Sequence, residues 1–332
     1  MSFPNKYAVL VGINYVGTSA QLSGCVSDIV NIRNMLIDAY GYNPANIVML
    51  REDSSVASLT PTKSNILMCL KALMAKSSIA GTEEIWFHYS GHGSQIRDNN
   101  SDESDKLDEV IVPLDYTKSG FITDDEFRLI VKGATKSLTD SCRFIFLFDS
   151  CHSGSMLDLP YAVNTPSGPV TTLNAKDAWT YPNIVAFSGC RDAQTSADTF
   201  SALERQACGA FTNAFITSLR KIGHAGISVA NLHTAVCTEL ASRKYSQVSV
   251  ISSSSIETFN KMAMRRYNGV NTIGVPSTTA TTTSANTGNT TGVVVNNKTI
   301  DGIDETAFSF AMVKQPAMPV ANMFKIHITY NN

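Results

Sequence analysis

Two short segments hold the side chains best suited to covalent chemistry. One apolar run ends in Tyr89-Ser90-Gly91-His92-Gly93, and another ends in Phe148-Asp149-Ser150-Cys151-His152-Ser153-Gly154. A cysteine thiolate attacks a carbonyl carbon once a neighbouring imidazole removes or shares its proton. Cys151 and His92 lie 59 residues apart, each where an apolar run gives way to a loop with glycine. Glycines on both sides of His92 let the chain turn sharply and leave room for a substrate. Alone, each residue would read as a structural histidine or an inert small hydrophobe. Their matched placement points to a site. Backbone N–H groups near Cys151 and Gly93 are the candidate oxyanion donors. His152 is a rival base, but adjacent residues of an extended chain point to opposite sides, so His92 is preferred.

Such a pair needs a rigid frame. The first 266 residues read as alternating strands and helices. Strands are expected at Tyr7–Ile13, Ile47–Leu50, Glu84–Tyr89, Arg143–Phe148, Ile184–Phe187 and Ile256–Met264. Helices are expected at Cys25–Ala39, after Thr62, at Gly209–Arg220 and at Val229–Leu240. Apolar runs without alternation suit strands buried on both faces, and the strand–helix rhythm implies a mainly parallel sheet covered by helices. In such sheets functional groups gather beyond the carboxyl ends of the strands. That is where His92 and Cys151 fall. From 267 to 332 the composition shifts. Residues 277–291 hold eight Thr and two Ser without a charge and read as a linker. Beyond it Val293–Val295 and Met323–Tyr330 are possible strands.

Composition narrows the function classes. The chain has 332 residues, 43% hydrophobic and 16% charged, with a formal net charge of −2. That supports a sizeable core and excludes wholesale disorder. No global basic field exists, which argues against nucleic-acid binding. No apolar stretch approaches the length of a membrane span. Seven widely spaced cysteines without a CxxC pair argue against a disulfide framework or a structural zinc, and a reducing, cytoplasmic setting is expected. The charge is unevenly placed. From Asp98 to Glu126 there are ten acidic and two basic residues, a local −8.

Taken together, these motifs resemble a type I metacaspase, in the caspase-like clan of cysteine peptidases. The resemblance is carried by Tyr7–Ile13 with Asn14-Tyr15, by Leu22-Ser23-Gly24-Cys25-Val26-Ser27-Asp28, by His88-Tyr89-Ser90-Gly91-His92-Gly93, by Phe148–Ser155, by Asp158-Leu159-Pro160 and by Ser188–Asp198. It spans residues 6–264, about four fifths of the chain. It implies an α/β, caspase-like three-layer sandwich whose mainly parallel central sheet is flanked by helices. It also implies a monomer that takes protein or peptide substrates, with Cys151 as nucleophile and His92 as base.

Metacaspases cleave after Arg or Lys, so the resemblance implies an anionic S1 pocket. The matching positions are Asp28 and Asp149, with Cys25 and Ser90 lining the pocket. Carboxylates grip guanidinium or ammonium groups. Asp28 also has a plain structural reading as an acidic residue in the first turn of a helix. The family's calcium ligands match Asp108, Asp124, Asp125 and Asp158, so Ca2+ is the implied cofactor. Against that, Asp124 and Asp125 also fit a helix N-terminus, and most of Asp98–Glu109 reads as solvated loop. Lys176 is the one basic residue between Asp158 and Ile184 and the candidate autocleavage site. Gln206-Ala207-Cys208-Gly209 mimics the caspase nucleophile signature, but no apolar strand precedes Cys208, and the match is read as chance. A different class of function, a catalytically weak caspase-like scaffold acting through protein interactions, is opposed by the intact dyad.

Overall fold

Lys6–Gly12 is apolar at nearly every position and buried along its length, as a central strand must be. We label it β1. The computed structural model describes residues 4–97, 107–138, 142–151, 153–172, 179–190, 209–224, 226–245, 247–264 and 266–267. The other strands of the main sheet are β2 (Ile47–Arg51), β3 (Glu84–Ser90), β7 (Arg143–Asp149), β8 (Tyr161–Val163), β9 (Thr171–Thr172), β10 (Ile184–Ser188) and β12 (Val250–Ser253). Their order is β2-β1-β3-β7-β10-β12-β8-β9. The first five run parallel and the last three join antiparallel.

Alternate residues of β3 and β7 enter two different cores. Phe87, Tyr89, Phe146 and Phe148 face helices α2 (Lys63–Lys76) and α4 (Asp124–Thr135), which contribute Ile66, Leu70, Leu73, Phe127 and Val131. Trp86, Ile145 and Leu147 face α1 (Cys25–Asp38), α5 (Ala210–Lys221) and α6 (Val229–Ser242), which contribute Ile29, Leu36, Phe211, Phe215, Leu232 and Val236. Helix, sheet and helix form the three expected layers. Thr62 caps α2 as its placement suggests, accepting from the Asn65 N–H at 3.3 Å.

One expectation is corrected. Ile256–Met264 is not one strand. Ser255 caps a short helix, α7 (Ile256–Lys261), whose Phe259 turns into the core, and only Ala263–Met264 (β13) is extended, pairing with β11 (Ile227–Ser228). The strand beside β10 is instead Val250–Ser253, whose serines hid it from a search for apolar runs. The chain between Asp158 and Ile184 supplies β8 and β9. Part of the acidic stretch is packed structure. β4 (Gly93–Arg97), β5 (Leu107–Ile111) and β6 (Ile122–Thr123) form a second small sheet, in which Asp108 and Glu109 are buried. The remaining short helix, α3, is Tyr116–Ser119. The proposed linker, the two strands expected beyond it, Lys176, Cys208 and His152 lie outside the described residues.

Candidate active site

β3 and β7 are neighbours in register, with Ser90 opposite Asp149. His92 and Cys151 each follow that pair by two residues, so they leave the sheet at the same height on adjacent strands. The link continues beyond the strands, where the Gly91 N–H donates to the Asp149 carbonyl at 3.3 Å. A Cβ on Gly93 would stand 1.9 Å from the Cys151 carbonyl oxygen, so the two loops touch backbone to backbone and only glycine permits it. Cys151 is half-buried and His92 buried. β7 ends at Asp149, so strand alternation sets the direction of Asp149 but not of Cys151.

The imidazole is held from several sides. His92 Nε2 lies 2.7 Å from the Ala20 carbonyl oxygen. A carbonyl only accepts, so Nε2 carries the proton and Nδ1 keeps its lone pair. The Tyr15 ring packs against the imidazole, tilted by 41°, at 4.8 Å between centroids. The Tyr15 hydroxyl accepts from the His92 N–H at 3.1 Å, and the Tyr89 hydroxyl donates to the His92 carbonyl at 2.7 Å.

Beneath this pair lie two buried acids. Ser90 Oγ donates to Asp28 Oδ2 at 2.8 Å, joining the end of β3 to the first turn of α1. Asp149 Oδ2 accepts from the Thr212 N–H at 2.8 Å, in the first turn of α5. Burial, with Asp149 as the second cause, pushes the Asp28 carboxyl above its ordinary range. Burial also raises Asp149, opposed by the hydrogen bonds it accepts at the helix N-terminus. Gly209, at φ 84°, turns the chain into α5, and a Cβ there would lie 3.3 Å from Asp28 Oδ2. Cys25 sits three residues before Asp28 on α1, fully buried, its N–H bonded to Asn14 Oδ1 at 2.9 Å. The four residues matched to S1 are therefore gathered at one end of the sheet. Two carboxylates, poorly solvated and repelling each other, favour a cation between them.

The residues matched to a calcium site come together in part. Asp124 opens α4 behind a capping box, in which Thr123 Oγ1 accepts from the Glu126 N–H at 3.1 Å and Glu126 accepts from the Thr123 N–H at 3.3 Å. The helix-terminus reading of Asp124 and Asp125 thus holds for this helix end. Asp124 accepts from the Glu109 N–H at 3.2 Å and the Asp125 N–H at 2.8 Å. Its carboxyl is raised by burial first, then by the charges of Asp158 and Glu109. Glu109, adjacent to Asp108 on β5, accepts from Gln95 at 3.0 Å and from Ser155 on the loop after Cys151. Arg128 Nε stands 3.8 Å from Asp158 Oδ2. Among the described residues no group of three or more His, Cys, Asp or Glu side chains is arranged to hold a metal ion.

Sequence reasoning missed Ala20, Glu52, Tyr89, Glu109 and Thr212, and gave Tyr15 no task. A backbone carbonyl such as that of Ala20 leaves no side-chain signature. Thr212 was signalled by Gly209 ahead of an apolar helix.

The metacaspase peptidase C14 domain model matches residues 6–160. Metacaspase-1 of Cryptococcus neoformans is 36% identical over 262 residues, covering 65% of this chain and 56% of that protein. Metacaspase-1A of Aspergillus fumigatus is 35% identical over 286 residues, covering 73% and 67%. The chain thus spans little more than half the length of the Cryptococcus relative. Caspase-1 of Spodoptera frugiperda superposes with a TM-score of 0.47 at 12% identity, over 77% of this chain and 89% of that one. With the family model matching across both strand-end motifs and a relative 35% identical covered over two thirds of its length, the chain belongs to the metacaspase family of cysteine peptidases.

Proposed function

We propose that this chain is a calcium-stimulated cysteine endopeptidase that cleaves proteins after Arg or Lys. The observation that carries the reading is the backbone contact between Gly93 and Cys151, beyond two strands in register, with Asp28 and Asp149 buried below. His92 Nδ1 takes the Cys151 thiol proton, and the thiolate adds to the carbonyl carbon after the basic residue. Backbone N–H groups near Cys151 and Gly93 face the oxyanion. Collapse breaks the C–N bond as His92 returns the proton to the leaving amine. Water then gives a proton to His92 and adds to the thioester, releasing the acid and the thiol. Throughout, the Ala20 carbonyl holds Nε2–H and fixes the ring.

A P1 guanidinium or ammonium between Asp28 and Asp149 replaces their repulsion with two charge-assisted contacts. The same specificity makes Lys176 the site of self-cleavage. Calcium suits the all-oxygen donors Asp108, Asp124, Asp125 and Asp158. The mutual repulsion of Asp124, Asp158 and Glu109 fits a bound cation. Bound there, calcium would supply positive charge among these carboxylates and order the loop that follows Cys151. The test is a panel of fluorogenic peptides ending in Arg, Lys or Asp, with calcium or with EGTA. Turnover of the Arg and Lys peptides, raised by calcium, is expected. Preference for Asp would overturn the S1 reading, and equal rates in EGTA would overturn the calcium reading.

A further inference from the structure

The loop after β1 contains a strained residue in contact with the imidazole. Tyr15 has φ 52°, in the left-handed region that a bulky side chain seldom enters. Such backbone persists only where the surroundings over-determine it. Here one carboxylate does so. Glu52, on the turn after β2, accepts the Asn14 and Tyr15 N–H groups on Oε2 at 2.6 Å each and the Val16 N–H on Oε1 at 3.0 Å. Three successive N–H groups converging on one anion form a nest, and Glu52 fills it.

The consequence reaches His92 by two routes. Tyr15 packs against the ring, donates its hydroxyl proton to Val112 O at 2.6 Å and accepts the His92 N–H at 3.1 Å. The same loop is folded back by Thr18 N–H to Tyr15 O at 3.2 Å and Leu22 N–H to Asn14 O at 2.7 Å, which brings the Ala20 carbonyl to His92 Nε2 at 2.7 Å. Both the ring packed against the imidazole and the tautomer-fixing acceptor therefore hang on one loop, and Glu52 ties that loop to β2.

We infer that Glu52 and Tyr15 are positioning residues for the general base, with the Glu52 carboxylate acting as the clamp that holds the base in its reactive tautomer. This rests on the assignment of His92 as the base of Cys151. Glu52→Gln keeps the size but removes the charge that three N–H donors share. Tyr15→Phe keeps the ring contact and removes the hydroxyl.

The test measures kcat/KM on an Arg peptide and, separately, the pH profile of Cys151 alkylation by iodoacetamide. Wild type, Glu52→Gln, Tyr15→Phe, His92→Ala and the neighbouring control Asp53→Asn are compared, with a thermal melt for each. Glu52→Gln and Tyr15→Phe should lose kcat by roughly 10- to 100-fold with little change in KM. Their alkylation profiles should move toward that of a free thiol at about pH 8.5, while Asp53→Asn stays at wild type. If His92→Ala shifts the profile but both variants keep it, the clamp is wrong and the dyad stands. If His92→Ala leaves the profile unchanged, the dyad itself fails and the clamp with it. Should Glu52→Gln melt too low to assay, Tyr15→Phe tests the positioning of the base by this loop, and a wild-type profile for it overturns the inference.

Discussion

Replacing Gly93 with alanine probes how closely the two reactive loops approach. The added Cβ would lie 1.9 Å from the Cys151 carbonyl oxygen, 3.1 Å from its carbonyl carbon and 3.2 Å from Ser150 Cβ. Real Cβ contacts essentially never fall below 3.0 Å, so the backbones must part by about 1 Å. Gly93 is not in the left-handed region, so the contact alone penalises alanine. Overpacking of this kind costs roughly 1–3 kcal/mol, which lowers Tm by a few degrees. A displacement near 1 Å between nucleophile and base costs on the order of 100-fold in rate. The assay is kcat/KM on an Arg peptide beside a calorimetric melt. Gly133→Ala is the control, since a Cβ there meets nothing within 4 Å inside α4. That control should be neutral or stabilise by about 0.5–1 kcal/mol. A Gly93→Ala enzyme within twofold of wild type would refute the close approach on which the dyad reading stands.

Asp28→Asn should abolish the preference for basic P1 residues. It should also stabilise the empty protein in a pH-dependent way. The native carboxyl binds its proton more tightly than the unfolded one, whose ordinary value is 3.8. Asp28 therefore withdraws stability as pH rises above that value. The Tm gain of the variant should be absent near pH 4 and grow toward neutrality, and a gain that shrinks with pH would contradict it. Asp124→Ala with Asp125→Ala should raise the calcium concentration needed for half-maximal activity, checked by direct calorimetric titration. Thr123→Ala breaks the capping box and should cost about 1 kcal/mol in urea denaturation. Cys208→Ala should leave turnover within twofold, whereas Cys151→Ala abolishes it.

The strands that carry the chemistry were legible because burial on both faces leaves uninterrupted apolar runs, as at Glu84–Tyr89 and Arg143–Phe148. The two acids proposed for S1 were matched through the family resemblance, and the structure adds their hydrogen bonds to Ser90 and Thr212. What escaped were elements without an apolar run. Val250–Ser253 is half serine, β9 is two exposed threonines, and β5 begins inside an acidic stretch. The restraints on His92 escaped for another reason. Glu52 and Ala20 are 40 and 72 residues from it in sequence, and their roles arise from a backbone nest and a carbonyl. Nothing in residue type announces either. The uneven charge also reads differently in three dimensions. Asp108, Glu109 and Asp124 are buried, so part of the acidic stretch belongs to packed structure beside the nucleophile loop.

Cys151, activated by His92, is proposed to attack carbonyls after basic residues. The adduct of an acyloxymethyl ketone peptide ending in Arg, mapped by mass spectrometry in the presence of calcium, decides it. The expected result is a single adduct on Cys151, absent in His92→Ala and not formed by the matching Asp-terminated probe. An adduct on Cys208 or Cys190, or equal labelling of Cys151 by the Arg and Asp probes, would contradict it.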